Sequence, residues 1–300
     1  MSAVAKIEIG THASDAVDWL LANFGGVFDG IGSFAESVVS GITDGLLWPP
    51  AGVLIALFVL FPLLLRRWGI ALFALLAFGL INGMELWDQT IQTLSVVIVA
   101  AVIAVLVGVP LGIWAARRRV VSVIVRPLLD LMQTTPPFVY LIPAVFFFGV
   151  GVVPGVVATA VFALAPAVRL TELGIRQVDA EIVEAAEAFG APPRQILRDV
   201  QLPLALPSIM AGINQVIMLA LSMVVVAGIT GAEGLGSIVT SAVTQLDIGA
   251  GVEGGLAVVI LAVYLDRVTG ALADPARKKF RIALPKRAGA AEGTGGLATV

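Results

Sequence analysis

Apolar residues gather in seven long stretches, at 48–65, 68–84, 90–116, 136–150, 152–170, 204–228 and 254–272. Charged or glycine-rich breaks separate them. About 20 apolar residues cross a hydrocarbon core of about 30 Å, so each stretch is read as a membrane span. The fourth is short for that task and is expected to borrow from Leu128–Met132. Ahead of the spans, Val17, Leu20, Phe24, Val27, Ile31, Phe34, Val38 and Ile42 recur at three- and four-residue steps, opposite Asp15, Asp18, Asn23, Asp29, Ser33 and Ser37. That period predicts a helix, either lying on the outer membrane surface or packed on the spans. Residues 1–12 lack an apolar core of signal-peptide length, so no signal peptide is expected. Residues 288–300 are small and aperiodic and are expected to be disordered.

Composition supports the membrane reading. The chain is 59% hydrophobic and 13% charged, against roughly 25% charged in soluble domains, and its mean hydropathy is +1.01. Charge distribution then orients it. Placing the loops at 66–67, 117–126 and 169–200 and the C-terminal tail on one side, and counting Arg267 at the end of the last span, puts 17 of the 18 Lys and Arg residues there, leaving only Lys6. Lys and Arg mark the cytoplasmic face, so the expected topology in the cell membrane has the N-terminus outside and the C-terminus in the cytoplasm.

Several chemistries are excluded. There is no cysteine and one histidine, His12, so no Cys/His metal set and no Ser-His-Asp catalytic set can be assembled. No G-x-x-x-x-G-K-[ST] loop occurs, so this chain is not itself an ATPase. The glycine-rich 231–237 lacks lysine and reads as a turn and re-entrant connection. Within the spans, Pro143, Gly149, Gly151, Pro154 and Pro166 predict broken or kinked helices beside a passage. Asn214, Gln215 and Ser222 either bond to a neighbouring helix or line a cavity. Trp48, Trp87 and Trp114 lie near span ends, as interfacial anchors do, although aromatic cages also hold quaternary ammonium groups. No charge is found deep in a span, which suits a zwitterionic solute and disfavours a proton relay or charged filter.

The most distinctive segment is 181–203, EIVEAAEAFGAPPRQILRDVQLP. Asp179 is placed to cap a helix whose first turns carry Glu181 and Glu184. Gly190 suits a left-handed position after that helix, and Pro193 suits the first turn of the next, which is expected to close at Leu202–Pro203. A helix–glycine–helix knob outside the bilayer reads either as a loop resting on headgroups or as a docking element for a soluble partner.

The order EAA-x3-G-x9-V-x-L-P, from Glu184 to Pro203, resembles the cytoplasmic-loop signature of permease subunits of ATP-binding-cassette importers, with Val200 where isoleucine is usual. Residues 126–157 and 202–228 resemble more narrowly the glycine betaine/proline (quaternary ammonium osmolyte) permeases. The resemblance implies an all-α polytopic membrane protein of about seven transmembrane helices with the type I ABC importer permease fold. It implies an outer-side tail at 1–45, two additional spans at 46–87, a permease core at 88–272 with a coupling loop at 171–203, and a cytoplasmic tail at 273–300. ATPase coupling would fall to Glu184, Ala185, Ala186, Gly190, Leu202 and Pro203. The candidate path residues are Gln133, Thr134, Thr135, Pro136, Pro143, Asn214, Gln215 and Ser222. Expected partners are an ATPase subunit carrying ATP and Mg, an outer solute-binding protein, a second copy of the chain and the lipid bilayer, with no nucleic acid and no cofactor on this chain. The role implied is an ATP-driven importer subunit for betaine- or proline-type solutes rather than an enzyme. Other small solutes, and less favourably a self-contained channel or secondary transporter, are the alternatives.

Overall fold

The computed structural model describes residues 9–280, and among these there is no strand. Twelve α-helical segments follow in order: α1 (Ile9–Leu47), α2 (Ala51–Leu64), α3 (Trp68–Gly83), α4 (Trp87–Arg117), α5 (Arg119–Thr134), α6 (Pro137–Phe148), α7 (Val152–Arg176), α8 (Ala180–Ala188), α9 (Pro193–Gln195), α10 (Leu202–Ala227), α11 (Leu235–Gln245) and α12 (Ile248–Phe280). A predicted disordered end at 288–300 lies outside the described residues, as do most of the residues considered for a signal peptide. The first residues of the expected C-terminal tail instead continue α12 to Phe280.

At the centre stands α7, packed between α4 and α10. Small residues set the spacing, as in helix pairs that lack a hydrophobic drive toward one another in lipid. A side chain on Gly112 of α4 would lie 2.6 Å from the Val168 carbonyl oxygen, and one on Gly174 of α7 would lie 2.7 Å from Ser208 Cβ of α10. These contacts run in step along α4 and α7, which are parallel, and in opposite order along α7 and α10, which are antiparallel. They define one end of the bundle, near Arg117, Arg176 and Leu202. At the other end, α11 folds back against the start of α4, where the Leu235 N–H donates to Thr93 Oγ1 at 2.8 Å and Gln92 Nε2 to Glu233 Oε2 at 2.7 Å. The predicted re-entrant connection is therefore a turn followed by a short helix.

All seven apolar stretches form helices, but among the described residues four helices are long and apolar enough to cross a membrane singly. The count rises to six if each bent pair makes one span. Helices α5 and α6 meet at 100°, so Leu128–Met132 does not extend α6 in a straight line. Pro136 and Pro137 cause this: the ring disfavours helical geometry in the residue before it, and Thr135 and Pro136 are extended. Gly149 (φ +75°) and Gly151 (φ +141°) then turn the chain into α7 with backbone that L side chains rarely adopt.

Helix α1 packs on α4, α6 and α7. Its inner face is Phe28, Gly32, Ala35 and Val39, with Phe28 stacked on Phe147 at 4.7 Å between ring centroids. Phe24, Val27, Ile31 and Phe34, which belong to the periodic apolar stripe, are exposed, whereas Val17, Leu20, Val38 and Ile42 of the same stripe are half-buried. Of the three tryptophans singled out above as span-end residues, Trp48 and Trp114 are exposed near helix ends, whereas Trp87 is buried. The α2–α3 hairpin covers it, and its ring sits among Phe58 and Phe78, with Tyr264 completing the cluster.

Candidate functional site

The knob is built by local signals. The Asp179 side chain accepts from the Glu181 N–H at 3.0 Å, capping α8, and Glu181 adds an acid to the first turn. At the far end the Gly190 N–H donates to the Glu187 carbonyl at 2.8 Å, and the Ala191 N–H to the Ala186 carbonyl at 3.1 Å. This is the paired 5→2 and 6→1 arrangement of a Schellman stop, and it holds Gly190 at φ +79°. Nothing lies within 4 Å of a Cβ built there, so backbone conformation, not space, selects glycine.

Glu184, Ala185 and Gly190 are exposed and Ala186 is half-buried. Ile182, Ala185 and Phe189 form an apolar stripe at helical spacing, and Phe189 is 93% exposed at its tip. Phe189 was not among the predicted residues. Its signal was available, as the one aromatic in a charged segment just before the helix stop.

Leu202 and Pro203 lie elsewhere. The chain from Pro193 to Thr230 is one continuous helical run, in which Leu202 packs against the cluster of Ile175, Ala205 and Ile209. The expected stop at Leu-Pro does not occur. Residues Ile196–Gln201 form a π-helical turn, with the Leu202 N–H reaching the Leu197 carbonyl. The wider turn carries the helix into Pro203, which has no N–H to place in the ladder.

The candidate path residues divide. Gln133, Thr134 and Pro136 are exposed at the α5–α6 corner, and Thr135 is half-buried there. The Thr134 and Thr135 hydroxyls donate to the Leu131 carbonyl, at 3.1 and 2.7 Å. Across the corner the Tyr140 hydroxyl donates to the Met132 carbonyl at 2.5 Å. Pro143 is exposed on α6, and Gln215 and Ser222 are exposed on one stripe of α10. Asn214 faces away from that stripe: its amide donates to Asp266 Oδ1 of α12 at 2.9 Å and its oxygen accepts from the Thr269 hydroxyl. Asn214 thus joins two helices.

One charged residue lies deeper than expected. Helix α7 runs past the anticipated span end at 170 to Arg176, and the Glu172 side chain is 4% exposed. Its Oε1 accepts from Ser122 Oγ at 2.7 Å, Arg126 Nη2 at 3.0 Å and Arg176 Nε at 2.9 Å. Arg176 Nη2 also donates to the Ala115 carbonyl at 2.9 Å. Nearby, Arg169 pairs with Asp130. In the sequence Glu172 stood outside the span assigned to it, and its three donors are 50, 46 and 4 residues away.

A profile described as binding-protein-dependent transport system inner membrane component matches residues 108–278. The chain is 52% identical over 269 residues to the glycine betaine transport system permease protein OpuAB of Bacillus subtilis (strain 168), covering 90% of this chain and 95% of that one. It is 45% identical over 273 residues to the glycine betaine/proline betaine transport system permease protein ProW of Escherichia coli (strain K12), covering 91% and 77%. The fold is similar to an inward-facing MetNI methionine ABC transporter, with a TM-score of 0.55 and 22% identity over 61% of this chain and 92% of that one. With its profile match, two relatives at 52% and 45% identity that each align with nine-tenths of it, and a helical fold of apolar spans, the chain belongs to the family of binding-protein-dependent transport system inner membrane components.

Proposed function

We propose that this chain is the permease subunit of an ATP-driven importer for glycine betaine or a closely related zwitterionic osmolyte. Two copies assemble with two ATPase subunits and an outer solute-binding protein. The observation that carries the coupling role is the capped, exposed α8 with its Ile182–Ala185–Phe189 stripe, which offers a compact apolar face on an otherwise charged knob. Glycine betaine, in the names of both relatives described above, supports the solute class.

The knob lies in the cytoplasm, in keeping with the arginines at 66–67, 117–119, 194 and 198. ATP and Mg belong to the ATPase, since this sequence holds no phosphate loop. Gln215, Ser222 and the corner at Gln133–Thr135 face the passage formed when two copies assemble, and Pro143 shapes the helix beside it. Alternating access follows when ATP binding moves α8.

The test is uptake of radiolabelled glycine betaine by cells lacking their own osmolyte importers and supplied with this chain, an ATPase and a binding protein. Saturable uptake that requires the ATPase is expected, and Gly190→Pro abolishes it at unchanged membrane levels. Proline fixes φ near −65° and lacks the N–H that Gly190 donates. Uptake without the ATPase, or normal uptake by Gly190→Pro, overturns the assignment.

A further inference from the structure

We propose that Glu172 is the positioning residue that carries movement of the α8 knob into α5, and through it into the α5–α6 corner. The inference rests on the coupling role proposed for α8. Glu172 lies one turn before the end of α7, and only Gln177–Asp179 separate that end from α8. Its single oxygen Oε1 gathers one donor from α7 and two from α5, and Arg176 ties the same cluster to the Ala115 carbonyl near the end of α4.

A buried carboxylate persists only where it is paired and hydrogen-bonded. Withdrawing any one donor leaves the remaining charges imperfectly matched in a site largely shut off from water. The three helix ends are therefore tied to move together at this point. Elsewhere α5 is attached to α7 more loosely, through the small cluster of Leu129, Ala165 and Val168 and the Asp130–Arg169 pair. Helix α5 leads directly to Gln133–Thr135, and the Tyr140–Met132 hydrogen bond locks that corner to α6. A displacement of α8 transmitted through Arg176 and Glu172 thus reaches Ser122 and Arg126, tilts α5 and moves the corner. Without the carboxylate, α8 still docks, but its motion is not passed on.

The importer, reconstituted in liposomes with its ATPase and binding protein, tests this through glycine betaine accumulated per ATP hydrolysed. In Glu172→Ala, uptake is expected to fall more than hydrolysis, lowering the ratio roughly two- to thirty-fold, the range of coupling effects along such networks. Glu172→Gln keeps an acceptor oxygen in the same place and restores part of the ratio. A merely structural role predicts a proportional loss of both activities with the assembled complex; that result, or an unchanged ratio, overturns the proposal. If Glu172→Ala does not assemble, Arg126→Ala, which removes one arm at a half-exposed side chain, is read on the same ratio. Gly190→Pro run in parallel separates the two ideas: normal uptake by that variant refutes the role of α8 whatever the Glu172 variants do.

Discussion

Phe189 and Gly190 are adjacent, yet they perform different tasks. Gly190 sets the backbone that ends α8, and a left-handed residue with a side chain costs about 1–2 kcal/mol. Gly190→Ala is therefore expected to weaken the knob without removing it, visible as faster amide exchange across 181–189. Phe189 presents a large apolar ring to solvent, and buried aromatic anchors contribute about 2 kcal/mol or more at interfaces. Phe189→Ala should raise the Kd for the isolated ATPase subunit about 30-fold, measured with detergent-solubilised chain; a Kd within about twofold of the parent rules out an anchoring role. Asp179 and Gly190 were legible because capping and left-handed turns are decided by a few neighbouring residues. Glu172 was not, because its donors on α5 come from a distant segment and its depth depends on where α7 ends.

Helices α4, α7 and α10 were legible as apolar runs, but their closeness is decided by single small residues that hydropathy does not distinguish. Gly112→Val places a side chain against the Val168 carbonyl and Thr171. Such overpacking costs typically about 1–3 kcal/mol, so a lower thermal unfolding midpoint in detergent is expected, with α8 itself unchanged. Gly69→Ala on α3, where a Cβ meets nothing within 4 Å, is the matched control and should leave the midpoint in place. Continuity at Leu202 was misread for an instructive reason. A proline ordinarily argues for a helix boundary, and only three-dimensional context shows that one π turn absorbs it. The α5–α6 bend was half legible: Pro136-Pro137 marks a break, while its angle is set by packing and by the Tyr140–Met132 bond.

Across the molecule, the arginine-rich loops and the knob occur at the end defined by Arg117, Arg176 and Leu202, while α11 and Glu233 occur at the other. Reporter fusions should accordingly place residues 66, 118 and 190 in the cytoplasm and 233 outside. A reporter at 233 that is active only in the cytoplasm contradicts this topology. Two faces of α1 are apolar, one covered by α4, α6 and α7 and one exposed, which explains why periodicity alone left its placement open.

The unbroken run from Pro193 to Thr230 gives the knob unequal mountings. On one side α8 hangs from the short Gln177–Asp179 connection. On the other, past the Gly190 stop, it meets a strut of 38 residues, about 57 Å at helical rise, that reaches the opposite end of the bundle. On the coupling role proposed for α8, load applied at Phe189 would divide between the helix ends tied at Glu172 and the long axis of α10. That axial route passes the π turn at Ile196–Gln201 and the ring of Pro207 before it reaches Gly228–Thr230, so it is continuous from one face of the protein to the other but has its compliant point next to the knob.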